Sequence, residues 1–558
     1  MSEVGKILHS LYASYQSGDY FKAELGIRDV LTKSPNNVEV LQLGALTALA
    51  INQIITAHQR LDQAKAGGPM TAELANIEGR VLKASGDWAA AEEAYNRAEN
   101  LDPKFDRAKI NRLNLLSGSD QPKRVLEELA SGYDFGDRGK MAKSQALTDL
   151  GRYEEALSLL EDFNSKTYAD KILFQRLKCF SVLGRLDDMQ DTFLAFSETS
   201  ALYAQALNVV VNSFEMRGDR KQSLAIIDRV SDSAPPSAKL QAINLRTKLD
   251  QTDNANLELD RLSKKHPEDI EVLCAVADAA RLSGNADESC EIYKRALTLG
   301  PGNFETMYGF AQSAITAGRF AEAQTLLQGA LAQSPNNQFL LALVATLLRQ
   351  MGGDHTRLYD YSNFVRVYDL NAPEGYADVT AFNAALKGKL DELHVYQHAP
   401  VNQSLRIGSQ TEMDLTLIDD PVLRAFFDAI DAPIHDYMER LGGDASHSLR
   451  RRNRGAYRIS GAWSVRLSEN GHHVNHVHPM GWLSSAYYVD LPPTVNAQSQ
   501  EGWIKFGQPA LDLGQEPEHV VQPKVGRLVL FPSYMWHGTI PFSGSATRLT
   551  LPFDVVPA

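Results

Sequence analysis

At 558 residues the chain is too long for one compact core, so two or more domains, or a repeat array, are expected. Hydrophobic residues make up 44% and mean hydropathy is −0.28, with no apolar run of about eighteen residues, which reads as soluble and argues against a transmembrane helix. A formal charge of −13 argues against general nucleic-acid binding. The opening residues, Met1 to His9, lack a basic stretch followed by an apolar one, and a mature cytoplasmic chain is expected. The three cysteines, Cys179, Cys274 and Cys290, have no C-x-x-C spacing and read as small buried hydrophobes in a reducing compartment.

Residues 1–370 repeat. A helix, a break and a second helix recur, with breaks at Gly18, Asn52, Gly86, Asp120, Gly151, Gly184, Gly218, Thr252, Gly284, Gly318 and Gly352, spaced 31–34 residues apart. The units Ser85–Pro103 and Ala317–Pro335, and the segment Leu150–Leu157, carry the same text: Gly at the turn, an aromatic two residues on, and Ala where helices cross. Both complete units end in Pro, which closes the second helix. These units resemble tetratricopeptide repeats. The resemblance implies an α-solenoid whose concave face takes a protein or peptide partner, with a purely structural spacer as the other reading.

The last repeat-like helix is expected over Asp354–Leu370, before the break Asn371–Gly375. A connector, 371–455, should hold a helix over Val379–His394, an irregular segment over Ala399–Thr411 and a helix over Pro421–Leu441. The basic run Arg450-Arg451-Arg452-Asn453-Arg454 within it reads as a solvated loop or a phosphate or acidic-substrate patch. From Ala456 the period becomes two, and about eight short strands with Gly and Pro turns predict a helix-backed β jelly roll over 456–558.

The chemistry gathers in this last part. His476 and His478, one residue apart on a strand, share a face. His537 follows later strands, and Arg548 comes after it on the face opposite Leu549, Leu551 and Phe553. Three histidines with a following arginine read as a mononuclear metal site beside an anchor for an acidic cosubstrate. Trp503 and Trp536 read as packing. Asp490 and Asp554 are the spare carboxylates, neither at ligand spacing from His476.

The order of these elements is similar to the double-stranded β-helix of prolyl-4-hydroxylase-type 2-oxoglutarate- and Fe(II)-dependent oxygenases. Residues 375–558 further resemble bacterial oxygenases of that class that follow tetratricopeptide repeats, through Asn402–Arg406, Gly481–Val489 and Phe531–Thr539. The resemblance implies Fe(II) on His476, His478 and His537, with 2-oxoglutarate held by Arg548 and assisted by Tyr488 and Ser484. It also implies a dioxygenase that hydroxylates a C–H bond, by analogy in a protein or peptide recruited by the solenoid. One departure is plain: His478 stands where that superfamily places its carboxylate ligand. Imidazole suits Fe(II), but one negative charge is lost. His473 or His472 as ligand in place of His478 stays open at this point. So do two other functions: a non-catalytic scaffold with a degenerate metal-binding jelly roll, and a cupin-like three-histidine enzyme without 2-oxoglutarate, against which Arg548 counts.

Overall fold

The computed structural model describes residues 3–118, 121–130 and 134–558 of the chain. From Glu3 to Gln350 it is built of paired antiparallel helices. The turn inside most pairs is made by one left-handed residue, a glycine at 18, 86, 151, 184, 218, 284 and 318, where a side chain would be strained. Asn52 (φ 58°) and Asp250 (φ 61°) serve where glycine is missing, because short polar side chains tolerate this conformation. The expected break at Thr252 is therefore corrected to Asp250, and Thr252 opens the next helix. The expected break at Asp120 lies outside the described residues. Helix starts are fixed by Asn37, Thr71, Asp269, Asn303 and Asn337, whose side chains accept backbone N–H groups. The array also meets itself: Thr56 Oγ1 donates to Gln333 Oε1 at 3.3 Å across most of its length.

The helix expected over Asp354–Leu370 does not form. A short turn of helix (Tyr361–Phe364) leads into strand β1, Arg366–Asp369, paired with β8 (Arg527–Pro532). The run Val365-Arg-Val-Tyr alternates and carries β-branched and aromatic residues, and the exposed edge of β8 supplies the backbone partners that a lone helix would lack. Asp369 then locks the pair through Arg527 Nε at 2.7 Å. The helices Val379–Leu393 and Pro421–Leu441 stand where the sequence puts them.

The remaining strands are β2 (Leu405–Gln410), β3 (Tyr457–Ala462), β4 (Val465–His473), β5 (Leu483–Asp490), β6 (Ile504–Phe506), β7 (His519–Val521), β9 (His537–Thr539), β10 (Arg548–Thr550) and β11 (Phe553–Pro557). That makes eleven among the described residues, nine of them in 456–558, where about eight are expected. The two beyond the expected region, β1 and β2, lie in segments read as helix and as irregular. The order is β1-β8-β5-β10-β4-β2 with β11 pairing β3 and β5, and a smaller sheet β7-β6-β9; all pairs are antiparallel. This antiparallel domain is consistent with a jelly roll.

Its core does not stop at the sheets. Phe382, Leu386, Phe426, Ile430 and Ile434 of the two backing helices pack on Tyr487, Val529 and Phe553, and the same core takes in Leu341, Ala342 and Ala345 of the last repeat helix, Gln338–Gln350. Trp536 is the pin of that joint. It is buried, its Nε1 donates to Thr346 Oγ1 at 2.9 Å, and Phe339 meets its ring edge-on. Trp536→Ala is expected to cost ~3–5 kcal/mol, read as a lower urea midpoint. A loss under about 1 kcal/mol would mean that the joint packs loosely.

The connector also lies on the first helices of the repeats. Tyr396 Oη donates to the Ser181 carbonyl at 2.7 Å, Val401 N to Asn212 Oδ1 at 2.7 Å, and Ser181 Oγ to Glu412 at 2.6 Å. Part of the surface expected to receive a partner is thus covered by the chain itself.

Candidate metal centre

The three histidines are positioned by backbone before any side chain acts. They do not lie in one strand: β4 ends at His473, and His476 forms an isolated bridge to His537 at the start of β9. His476 N donates to His537 O at 2.9 Å, and His537 N to His476 O at 3.0 Å. His478 N is tied to Ser533 O at 2.9 Å. The one-residue spacing still turns both side chains inward.

Each ring is then oriented through Nδ1. His476 Nδ1 meets Val474 O at 2.8 Å, His537 Nδ1 meets Met535 O at 3.0 Å, and His478 Nδ1 meets both oxygens of Asp554 at 2.7 Å. Acceptors at Nδ1 fix the proton there and leave Nε2 as the free lone pair. The candidate ligand atoms of the three residues lie within 4.8 Å of one another, and the Nε2 atoms of His476 and His478 are 3.2 Å apart. Burial, with the neighbouring His478, pulls the His476 pKa down to about 3; burial and His476 hold His537 well below the usual histidine range. Both stay neutral, as ligands must. Burial also works to lower His478, but the Asp554 carboxylate outweighs it and raises this residue.

Asp554 is the carboxylate that spacing could not assign. It lies 76 residues from His478 and reaches it because β11 pairs with β5, opposite Ser484. Ser484 Oγ donates to Asp554 at 2.7 Å and contacts Ser533 Oγ at 2.9 Å, so it is turned to this carboxylate rather than to Arg548.

Arg548 is 2% exposed. Its Nε donates to Gly502 O at 3.2 Å, its guanidinium stands 5.0 Å from the centre of the Tyr488 ring, and among the described residues no carboxylate pairs with it. A buried guanidinium without an anion is costly, and burial accordingly lowers its pKa. The buried Tyr488 hydroxyl beside it makes no well-formed hydrogen bond. Arg548, Asp554 and the three histidines line one cavity of about 590 Å³. Three imidazoles whose Nε2 atoms converge, with Ser404 Oγ 3.3 Å from that of His476, and a buried cation without a carboxylate partner among the described residues fit a divalent metal and a carboxylate cosubstrate.

His472 and His473 fall outside the three-histidine group. His472 Nδ1 meets Asn470 O, and His473 Nδ1 meets Ser404 Oγ at 2.9 Å. Asp490 pairs with Lys387, away from the site. Trp503 Nε1 donates to Asn496 O, a packing role. The mouth of the cavity holds a residue no motif pointed to: Lys248, the last residue of the repeat helix Pro236–Lys248, which hydrogen-bonds Asn402 of the connector. Cys179 and Cys290 are buried, Cys274 partly so, and none of the three forms a disulfide. No helix among the described residues is long and apolar enough to cross a membrane.

Residues 461–554 match the family described as "Putative 2OG-Fe(II) oxygenase", and residues 280–347 match a tetratricopeptide-repeat family. No curated protein matches the chain. Solved structures similar to it include the APC/C hetero-tetramer Cut9-Hcn1 (13% identity, 62% of this chain and 83% of that one, TM-score 0.24). Another is PilW, a widely conserved type IV pilus biogenesis factor (14% identity, 43% and 98%, TM-score 0.28). The chain thus carries a region that matches a tetratricopeptide-repeat family, followed by a region that matches a family described as a 2OG-Fe(II) oxygenase.

Proposed function

We propose that the protein is a 2-oxoglutarate- and Fe(II)-dependent dioxygenase that hydroxylates a protein or peptide recruited by its repeats. In this reading 1–370 recruit, 371–455 connect and 456–558 carry the chemistry. His476, His478 and His537 hold the metal through Nε2, and Asp554 orients His478. Arg548 holds the far carboxylate of 2-oxoglutarate, with Tyr488 behind it. When bound, the metal, cosubstrate and dioxygen supply the oxidising chemistry for a C–H bond. The observation that carries the reading is Arg548, a buried cation without a carboxylate partner among the described residues, opening on the same cavity as the three imidazoles.

The protein or peptide substrate is supported by what borders the mouth. Next to Lys248 and Asn402 lies a hollow of about 500 Å³ lined by Gln205, Asn208, Gln241 and Asn244. Side-chain amides both donate and accept, matching an extended peptide backbone. His478 at the acid position favours a second reading, a metal-binding module on a scaffold protein.

Anaerobic titration of the purified protein with Fe(II) and 2-oxoglutarate is expected to give the weak visible charge-transfer band. Turnover in cell extract should then add one oxygen atom to a protein. A band without any modified protein would overturn the substrate class. Metal retained without a band would favour the scaffold.

A further inference from the structure

A separate cavity of about 710 Å³ lies where three distant parts of the chain meet. The repeat helix Ile54–Gly67 borders it through Ile54, Ile55 and His58, helix Ala72–Ala84 brings Lys83, the turn 334–337 closes one side, and the basic run with residues 479–481 closes the other. Five cations line it, Lys83, Arg451, Arg452, Arg454 and Arg458, and among the described residues no carboxylate does. In a chain of net charge −13 this is a sharp local inversion.

Of Lys83, Arg451, Arg452 and Arg454, one meets a carboxylate among the described residues. Arg454 pairs with Asp87 at 3.1 Å. Arg451 donates to Asn336 Oδ1 at 3.0 Å and to the Pro335 carbonyl; Arg452 donates to the Gly481 carbonyl at 2.8 Å. Those acceptors are neutral, so the two guanidinium charges persist side by side. Burial, then Arg451 and Arg454, push Arg452 down to about 10, and burial lowers Arg451 and Lys83. Crowding cations out of water is unfavourable unless an anion joins them.

We propose that this seam cavity binds a multiply charged phosphate anion, held by Lys83, Arg451 and Arg452. Guanidinium forks match phosphate oxygens in pairs, and lysine adds a point charge. The volume admits more than one phosphate group. Trp88 already has Lys83 and Arg458 over its ring, at 5.8 and 5.5 Å, which favours an oligophosphate or phosphorylated metabolite over a ligand that stacks a base. The anion bridges the seam of the repeat array and steadies Gly481, three residues beyond His478, through Arg452.

The test is calorimetric titration of the full chain with tripolyphosphate, with citrate as a carboxylate anion for comparison. Saturable one-to-one binding is expected, citrate binding more weakly. Lys83→Gln and Arg451→Gln should each weaken tripolyphosphate about ten-fold, with helical circular dichroism and the Fe(II)–2-oxoglutarate band unchanged. Arg452 is left intact because it holds the 479–481 loop. No saturable binding, full affinity in both folded variants, or citrate binding as tightly as tripolyphosphate would each overturn the site.

Discussion

Arg548→Gln is expected to weaken 2-oxoglutarate binding by about 100-fold or more, while metal binding stays as in the wild type. A charge-assisted hydrogen bond contributes roughly 1.5–3 kcal/mol, and a paired fork makes two. Glutamine keeps a polar group near the Nε position but is two atoms shorter and removes the charge and the fork. Arg548→Lys should fall between, keeping charge without planar geometry. Stability separates this from a folding defect. In the free protein Arg548 is 2% exposed and has no carboxylate partner among the described residues, so removing the guanidinium relieves a desolvated charge. The melting temperature should hold or rise, the reverse of Trp536→Ala. The check is the anaerobic charge-transfer band as 2-oxoglutarate is added. A band saturating at wild-type concentrations in Arg548→Gln would show that the cosubstrate carboxylate is held elsewhere.

Asp554→Asn is expected to cost 10- to 100-fold in metal affinity at neutral pH, the usual effect of removing a carboxylate behind a ligating histidine. The bidentate contact at 2.7 Å orients His478 and makes its Nε2 more basic. It also supplies, one atom shell further out, the negative charge that His478 does not carry as a ligand. The pH dependence gives a second readout. Asp554 raises the His478 pKa, so a proton competes with metal from a higher pH; metal retention falls as pH drops through that raised value. With asparagine the proton leaves at lower pH, so the fall moves downward even as neutral-pH affinity drops. Chelator competition at several pH values reads both. Unchanged affinity would make Asp554 a packing residue only.

The pairing of the two parts was legible because each rests on a local period. A turn residue roughly every 34 positions, an aromatic two on and small residues at crossings are enough to specify stacked helix pairs. Short-range alternation and Gly/Pro turns specify strands, and the one-residue spacing of His476 and His478 brings two ligands together even outside a strand. Where structure and sequence part, the cause is non-local. Residues 354–370 read as the tail of the repeats, yet Arg366–Asp369 forms a strand, because β8 offers an edge from some 160 residues away. Thr252 was read as a break by spacing alone, whereas the left-handed backbone fell on Asp250.

Sequence by itself determined the helical array, the antiparallel domain after it, and the grouping of three histidines with one buried arginine. Only the tertiary structure decided that Asp554 stands behind His478 and that Ser484 serves that carboxylate. It also placed Lys248 of a repeat helix at the mouth of the cavity and brought the basic run against Lys83. The physical reason is the same in each case. Helix and strand periods are written within a few residues, but sheet registry and the curvature of a solenoid join positions tens to hundreds of residues apart. Those contacts are set by burial of a shared core, which has no local signature.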